Sequence, residues 1–326
     1  MASAEQLKAL LKAHMEGDDS HFLAVAMQVA AHEAKLGHGR LAEELKDLVD
    51  AAKARRITHL GTRPTPISQP RGELGSLLAA SYPKLTLRDM ILGRSVHNRL
   101  ARIIKEQRQF AKIRSHGLAP KRKLLLVGPP GTGKTMTASV LAGELGMPLF
   151  QVRLDGLISK FMGETAAKLR LIFQAVAEQR GVYFFDEFDA IASERGMSND
   201  VGEIRRVLNS FLQFIEQDES NSLIVAATNH PEILDYAVFR RFDDVIEYEL
   251  PTKPQIVETL KARLSVLEVT WLEWEKLANE AAGLSFADLT RAADDATKDA
   301  IIHDRRILTE ADVLAPLAER KAMKSR

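Results

Sequence analysis

The sequence predicts an α/β fold: a five-stranded parallel sheet with helices on both faces, preceded by a helical bundle and followed by a small helical domain. Three observations predict it. Short apolar runs alternate with helical stretches between about Ser81 and Pro251, and such alternation closes into a parallel sheet covered on both sides. A glycine-rich segment lies between one of these runs and a helical stretch. After Pro251 the strand-like runs stop.

Residues 1–60 read as helices. Leu7, Leu10, Leu11 and His14 recur at helical spacing, and Gly17-Asp18-Asp19-Ser20 supplies a break and a new cap. Phe22, Val25, Ala26 and Val29 make a second stripe, and Leu41, Leu45, Leu48 and Val49 a third. Three short helices with short turns predict a small antiparallel bundle. Residues 61–80 read as a linker, because Pro64, Pro66 and Pro70 fall within ten residues of little apolar content.

Residues 81–251 form the expected α/β domain. Its strands are expected at Leu124–Val127, Leu149–Leu154, Val182–Phe185, Leu223–Ala227 and Val245–Leu250. Helices are expected between them, among others over Lys134–Leu145 and Glu164–Gln179. In the latter, Leu169, Ile172, Phe173 and Val176 share one face. Residues 252–326 read as helices only.

Composition bounds the function. The 326 residues exceed one ordinary domain, and 45% hydrophobic content allows a sizeable core. Lys+Arg is 45 and Asp+Glu is 44, so net charge points to no polyanionic partner. The absence of cysteine excludes disulfides, thiolate metal sites and a cysteine nucleophile, and suits a reducing, cytoplasmic setting. The first residues have no apolar signal core, and no run approaches the ~20 apolar residues of a membrane span.

Gly128-Pro129-Pro130-Gly131-Thr132-Gly133-Lys134-Thr135 fits the phosphate-binding P-loop pattern, with a strand entering and a helix leaving. Glycines let successive backbone N–H groups turn inward around phosphates, and the helix N-terminus adds its dipole. Lys134 would place a point charge on the phosphates, and the Thr135 hydroxyl would ligate Mg²⁺. Hydrolysis also needs an acid for the metal and a group that activates water. Asp186 and Glu187 follow the apolar run Val182–Phe185, at the strand end where open parallel sheets bind ligands. Asp186 would hold the metal's water shell, and Glu187 would polarise the attacking water. Asp189 reads as a support of the loop.

Together these residues resemble the AAA+ ATPases, in particular the FtsH, katanin and Vps4-like group, from about Tyr82 onward. The resemblance implies ATP and Mg²⁺ as cofactors and a homo-oligomeric, hexameric ring. Ala227-Thr228-Asn229 resembles sensor 1, so Asn229 would hold the lytic water or the γ-phosphate. The segment from Asp235 to Asp243 resembles the second region of homology, which makes Arg240 and Arg241 arginine fingers. Arg241 directly precedes Phe242-Asp243 and is the better-aligned match. Many members separate their arginines by two residues, whereas here they are adjacent. Ser159 to Glu164 resembles pore loop 1, with Phe161 and Met162 gripping a polypeptide in the central channel. Pore loop 2 would fall near Gly196–Glu203. Gly283 to Leu289 resembles sensor 2, with Ala287 beside the nucleotide and Phe286 where many members have glycine. Ile91 and Gly93, in Met90-Ile91-Leu92-Gly93, match the segment that packs on adenine.

The function implied is a motor that remodels or unfolds a protein threaded through its pore. The bundle over residues 1–60 would dock a partner protein, and its layout resembles the microtubule-interacting and trafficking bundle. The whole chain also resembles bacterial ATPases encoded beside subtilisin-like proteases in defence modules. One alternative reading is therefore a nucleotide-gated regulator of a separately encoded protease. A third is a nucleic-acid-handling ATPase, supported by residues 61–127, where 14 Lys+Arg face 3 Asp+Glu. That stretch is nearly free of aromatics, which argues against a stacking platform. His32-Glu33 does not begin a zinc-protease H-E-x-x-H motif, because Leu36 stands where the second histidine would be.

Overall fold

A computed structural model describes residues 72–157, 162–189, 201–269 and 271–324, together with Pro70 and a few positions between Val25 and Glu43. The side chains of 162–163 and 201–206 are not among them. Most of the expected bundle, the first part of the expected linker, Phe161, the Met162 side chain and the stretch 196–200 lie outside the described residues. The chain divides into two compact units, Met1–Arg63 and Pro64–Arg326. The second carries the sites discussed below.

The elements of that unit, in order, are α1 (Glu73–Leu77), β1 (Leu78–Ser81), α2 (Arg94–Arg108), α3 (Phe110–Arg114), β2 (Lys123–Val127), α4 (Lys134–Leu145), β3 (Leu149–Val152), α5 (Leu154–Leu157) and α6 (Met162–Glu178). Then come β4 (Val182–Phe185), α7 (Val201–Gln217), β5 (Leu223–Thr228), α8 (Tyr236–Phe239), β6 (Asp244–Glu247), α9 (Lys253–Leu264), β7 (Glu268–Val269), α10 (Trp274–Glu280), α11 (Phe286–Ile302), β8 (Ile307–Leu308) and α12 (Glu310–Lys324).

The main sheet has six strands in the order β1-β3-β4-β5-β2-β6. Five are parallel, as the apolar runs predict. The sixth corrects the expected count: β1 pairs antiparallel to β3, Leu78 opposite Val152 and Ser81 opposite Leu149. Its sequence, Leu-Ala-Ala-Ser, has weak strand propensity, and its place follows from backbone pairing and from burial of Leu77 and Leu78. The same burial corrects the linker, since residues 73–81 are helix and edge strand.

Alternation along the strands sorts side chains to two cores. Leu125, Val127, Tyr183, Phe185, Ile224 and Ala226 face one, under α6 and α7. Leu124, Leu126, Phe184, Val225 and Ala227 face the other, under α2 and α4. The expected face of α6 is the buried one: Leu169, Ile172, Phe173 and Val176 are all in the first core.

Four cations of the basic stretch pair with acids from distant segments. Arg99 and Lys121 both pair with the buried Asp244, Arg108 with Glu144, and Arg122 with Asp218. Lys123 donates to the carbonyl of Ile215, and burial pulls its ammonium below the ordinary lysine value. These contacts tie α2 and the start of β2 to β6, α4 and the segment that leads into β5.

Residues after Pro251 form a separate core of Ile256, Leu260, Leu277, Leu289, Ala292, Ala296 and Leu317. Alanines on the buried side of α11 let α9 and α12 approach it closely. The expectation of helices only is corrected by β7 and β8, which pair in parallel as a two-stranded sheet. Each of those strands has two residues, too short to leave a period-2 pattern.

Candidate functional site

Strand order gathers the predicted chemistry at one edge of the sheet. The neighbours β4, β5 and β2 end at Phe185, Thr228 and Val127, and their next residues are Asp186, Asn229 and Gly128. Apart from Lys123 at the start of β2, each strand is buried along its length, so the site's polar residues begin where the chain leaves the core.

The loop after β2 is shaped by glycines in the left-handed region. Gly128 has φ 141° and lies against the Tyr248 carbonyl, leaving no space for a side chain. Gly131 has φ 74°, and a Cβ there would stand 2.5 Å from Ser285 Oγ and 3.0 Å from the Ala287 methyl. The Gly131 carbonyl accepts a 3.1 Å hydrogen bond from the Ala287 N–H. The first turn of α11 therefore rests directly on the loop. That turn is fixed by a capping box in which Ser285 Oγ accepts from Asp288 N–H, and Asp288 Oδ2 accepts from the Ser285 N–H and hydroxyl.

These contacts make a sharp prediction. Gly131→Ala requires a left-handed alanine and displaces the α11 cap, so it should destabilise the fold by about 1–2 kcal/mol or more. Gly93 has an ordinary φ of −63°, and an added methyl there would meet nothing within 4 Å, so Gly93→Ala should leave stability unchanged. Thermal melts of both variants check this. Equal melting temperatures would remove the claim that the loop and α11 are locked together.

Lys134 opens α4, is 6% exposed, and donates to the carbonyls of Gly128 at 2.6 Å and Pro129 at 2.8 Å. Burial pulls its ammonium below the ordinary lysine value, and the carboxylates of Asp186 and Asp189 act in the opposite direction. Thr132 Oγ donates to the Pro129 carbonyl at 2.8 Å, closing the loop on itself. Thr135 Oγ donates to Asp186 Oδ2 at 2.9 Å, reaching across the end of β5. A hydroxyl and a carboxylate beside a phosphate cradle are the hard oxygen donors that suit Mg²⁺, which takes few protein ligands and completes its shell with phosphates and water. Among the described residues there is no group of three or more His, Asp and Glu that could hold a metal.

Glu187 is exposed and has φ 49°, a left-handed conformation that a non-glycine residue adopts at a cost. Its neighbours impose it. The Glu187 N–H donates to Asp186 Oδ1 at 3.0 Å, and the next residue, Phe188, is fully buried with its N–H on the Ala227 carbonyl at 2.8 Å. Asp189 accepts from Thr228 Oγ at 2.9 Å, and that same hydroxyl accepts from the His230 N–H. The acid segment is thus tied to Ala227 and Thr228 at the β5 end, directly ahead of Asn229, which is half-buried.

Met90 lies along the loop: its methyl faces Gly133 and its sulfur lies 3.9 Å from Thr137 Oγ. Thr137 is buried and shares a 2.5 Å hydrogen bond with the Tyr248 hydroxyl, whose pKa burial pushes up to about 12. Ile91 is half-buried and Gly93 begins α2.

The adjacent arginines are placed differently. Arg241 turns inward: its guanidinium donates to the Ala237 carbonyl at 2.7 Å, and its Nε lies 2.9 Å from Glu216 on α7 as an ion pair without hydrogen-bond alignment. Arg240 is exposed and stacks on the Tyr236 ring, 4.7 Å from its centroid. In-chain contacts tie the pair to Ala237, Glu216 and Tyr236, apart from the loop and the acids. Sequence reasoning assigned no individual role to Thr228, Glu216, Tyr236 and Ser285. Only Ser285 carried a signal, its Ser-x-x-Asp spacing to Asp288.

Residues 124–250 match the family described as ATPase family associated with various cellular activities (AAA). The chain is similar to an AAA family ATPase of Sinorhizobium fredii, 37% identical over 331 residues that cover 100% of this chain and 98% of the relative. It is also similar to the ATP-dependent zinc metalloprotease FtsH of a Synechococcus species, 36% identical over 65% of this chain and 34% of that protein. The proteasome-activating nucleotidase of Methanothermobacter thermautotrophicus is 36% identical over 65% of this chain and 53% of its own length. With the loop, the acids and the sheet order in place, and with a relative matched over nearly its whole length, the chain belongs to the AAA family of ATPases.

Proposed function

We propose that this ATPase works as a hexameric ring that uses ATP turnover to remodel or unfold a protein substrate in the cytoplasm. The observation that carries the reading is a division of the machinery. Thr135 is linked to Asp186 and Lys134 to the phosphate loop within one chain, whereas Arg240 is presented outward on Tyr236. Such a site is completed by a neighbouring subunit. A protein substrate is supported by the aromatic-apolar pair Phe161-Met162 ahead of Gly163-Glu164. It is supported further by relatives whose names couple ATP to proteolysis, a zinc metalloprotease and a proteasome-activating nucleotidase.

In this reading the backbone N–H groups of Gly128 to Gly133 and the Lys134 ammonium bind the phosphates. Thr135 and Asp186 would hold Mg²⁺, which when bound neutralises phosphate charge. Glu187 takes the proton of the attacking water, and Asn229 orients that water. Ile91, Gly93 and Ala287 flank the base. A neighbouring subunit's guanidinium stabilises charge on the phosphoryl oxygens. The N-terminal unit docks a partner protein, for which a separately encoded protease fits the relatives' names.

The test is a nucleotide-dependent trap. Full-length Glu187→Gln, loaded with ATP, should sediment as a ring and retain an unfolded polypeptide such as casein. Lys134→Ala should retain none, and Phe161→Ala in the Glu187→Gln background should lose most of it. Retention of single-stranded DNA in place of casein would instead establish the nucleic-acid reading.

A further inference from the structure

We propose that Tyr236 is a positioning residue for ATP hydrolysis: its ring holds the Arg240 guanidinium charged, oriented and free to donate to the phosphates of an adjacent subunit. This rests on the shared-site reading above.

The segment that carries the pair is anchored in the core. Leu234, Val238 and Phe242 are buried in the main core, and the Phe242 ring meets Phe188. Asp235 caps α8, its Oδ1 accepting from the Ala237 N–H at 3.0 Å. On this anchored turn Tyr236 and Arg240 stand four residues apart, which places their side chains on one face. Tyr236 is 69% exposed, a costly position for an aromatic with no task in the core.

The chemistry of the contact is what matters. A carboxylate beside Arg240 would order it but would also neutralise its charge and occupy its donors. No carboxylate among the described residues pairs with Arg240, whereas Arg241 has Glu216. A ring face attracts a guanidinium through its quadrupole and leaves the edge donors free. It limits the many rotamers of an exposed arginine without spending what the arginine is there to deliver. Arg241, held by Ala237 and Glu216, fixes the turn from below, and Arg240 projects from it.

Exposed cation–π contacts correspond to a few-fold change in population, up to tenfold or more once desolvated. Tyr236→Ala should therefore lower kcat about three- to tenfold in assembled protein, with KM for ATP and sedimentation unchanged. Tyr236→Phe keeps the ring face and should restore turnover. Arg240→Ala should cost far more, and adding Tyr236→Ala to it should change nothing further, because the ring would have no guanidinium to orient. If Arg240→Ala is strongly impaired while Tyr236→Ala turns over normally, or if the two losses multiply in the double variant, the positioning role is wrong and the shared site stands. If Arg240→Ala itself turns over normally in assembled rings, the shared-site reading falls, and this role with it.

Discussion

Glu187→Gln is expected to bind ATP with near-normal affinity and to lose turnover by roughly two to four orders of magnitude, the scale of general-base loss. The amide keeps the size of the side chain and removes its basicity. The left-handed backbone at Glu187 is imposed by Asp186 Oδ1 on one side and by buried Phe188 on the other, and neither contact involves the Glu187 carboxylate. The variant should therefore fold like the parent. Calorimetric titration with ATP and single-turnover hydrolysis measure the two halves separately. Residual turnover within a factor of a few of the parent would mean that another group activates the water. Loss of binding would mean that Glu187 supports the phosphate loop.

The second large effect comes from splitting the site between subunits. An arginine finger supplied in trans is worth ~10³–10⁵ in rate where NTPases have been measured. Arg240→Ala should approach that loss with little change in ATP affinity, and Lys134→Ala should lose binding itself. Mixed together, the two inactive variants form some interfaces with an intact loop on one side and an intact Arg240 on the other. Activity should return on mixing, peaking at intermediate ratios. If mixed rings form by sedimentation and no activity appears at any ratio, each chain completes its own site.

Much of this arrangement was legible in the amino-acid sequence because it is locally encoded. Burial on both faces gives β2, β4 and β5 unbroken apolar runs, and the glycines and Lys134 are contiguous. What stayed hidden depends on contacts between distant segments. The Glu216 partner of Arg241, the Thr228 partner of Asp189 and the pairing of β1 with β3 join residues that no local period connects. The acids that pair with part of the +11 excess over residues 61–127, Asp218 and Asp244, likewise lie far beyond it in the chain. The strain at Glu187 was invisible because glutamate gives no sign of a left-handed backbone.

The sheet order has a consequence for how the protein is made. Strand β2, which leads into the phosphate loop, is flanked by β5 and β6, and these lie about a hundred residues later in the chain. A ribosome adding ~5–20 residues per second leaves that strand without either neighbour for on the order of ten seconds. During that interval Leu124 to Val127 present apolar side chains and open hydrogen-bonding edges to the crowded surroundings of the nascent chain. The nucleotide site is thus among the last parts of this domain to exist during synthesis. ATP then favours the finished product by mass action, because only the completed sheet can bind it.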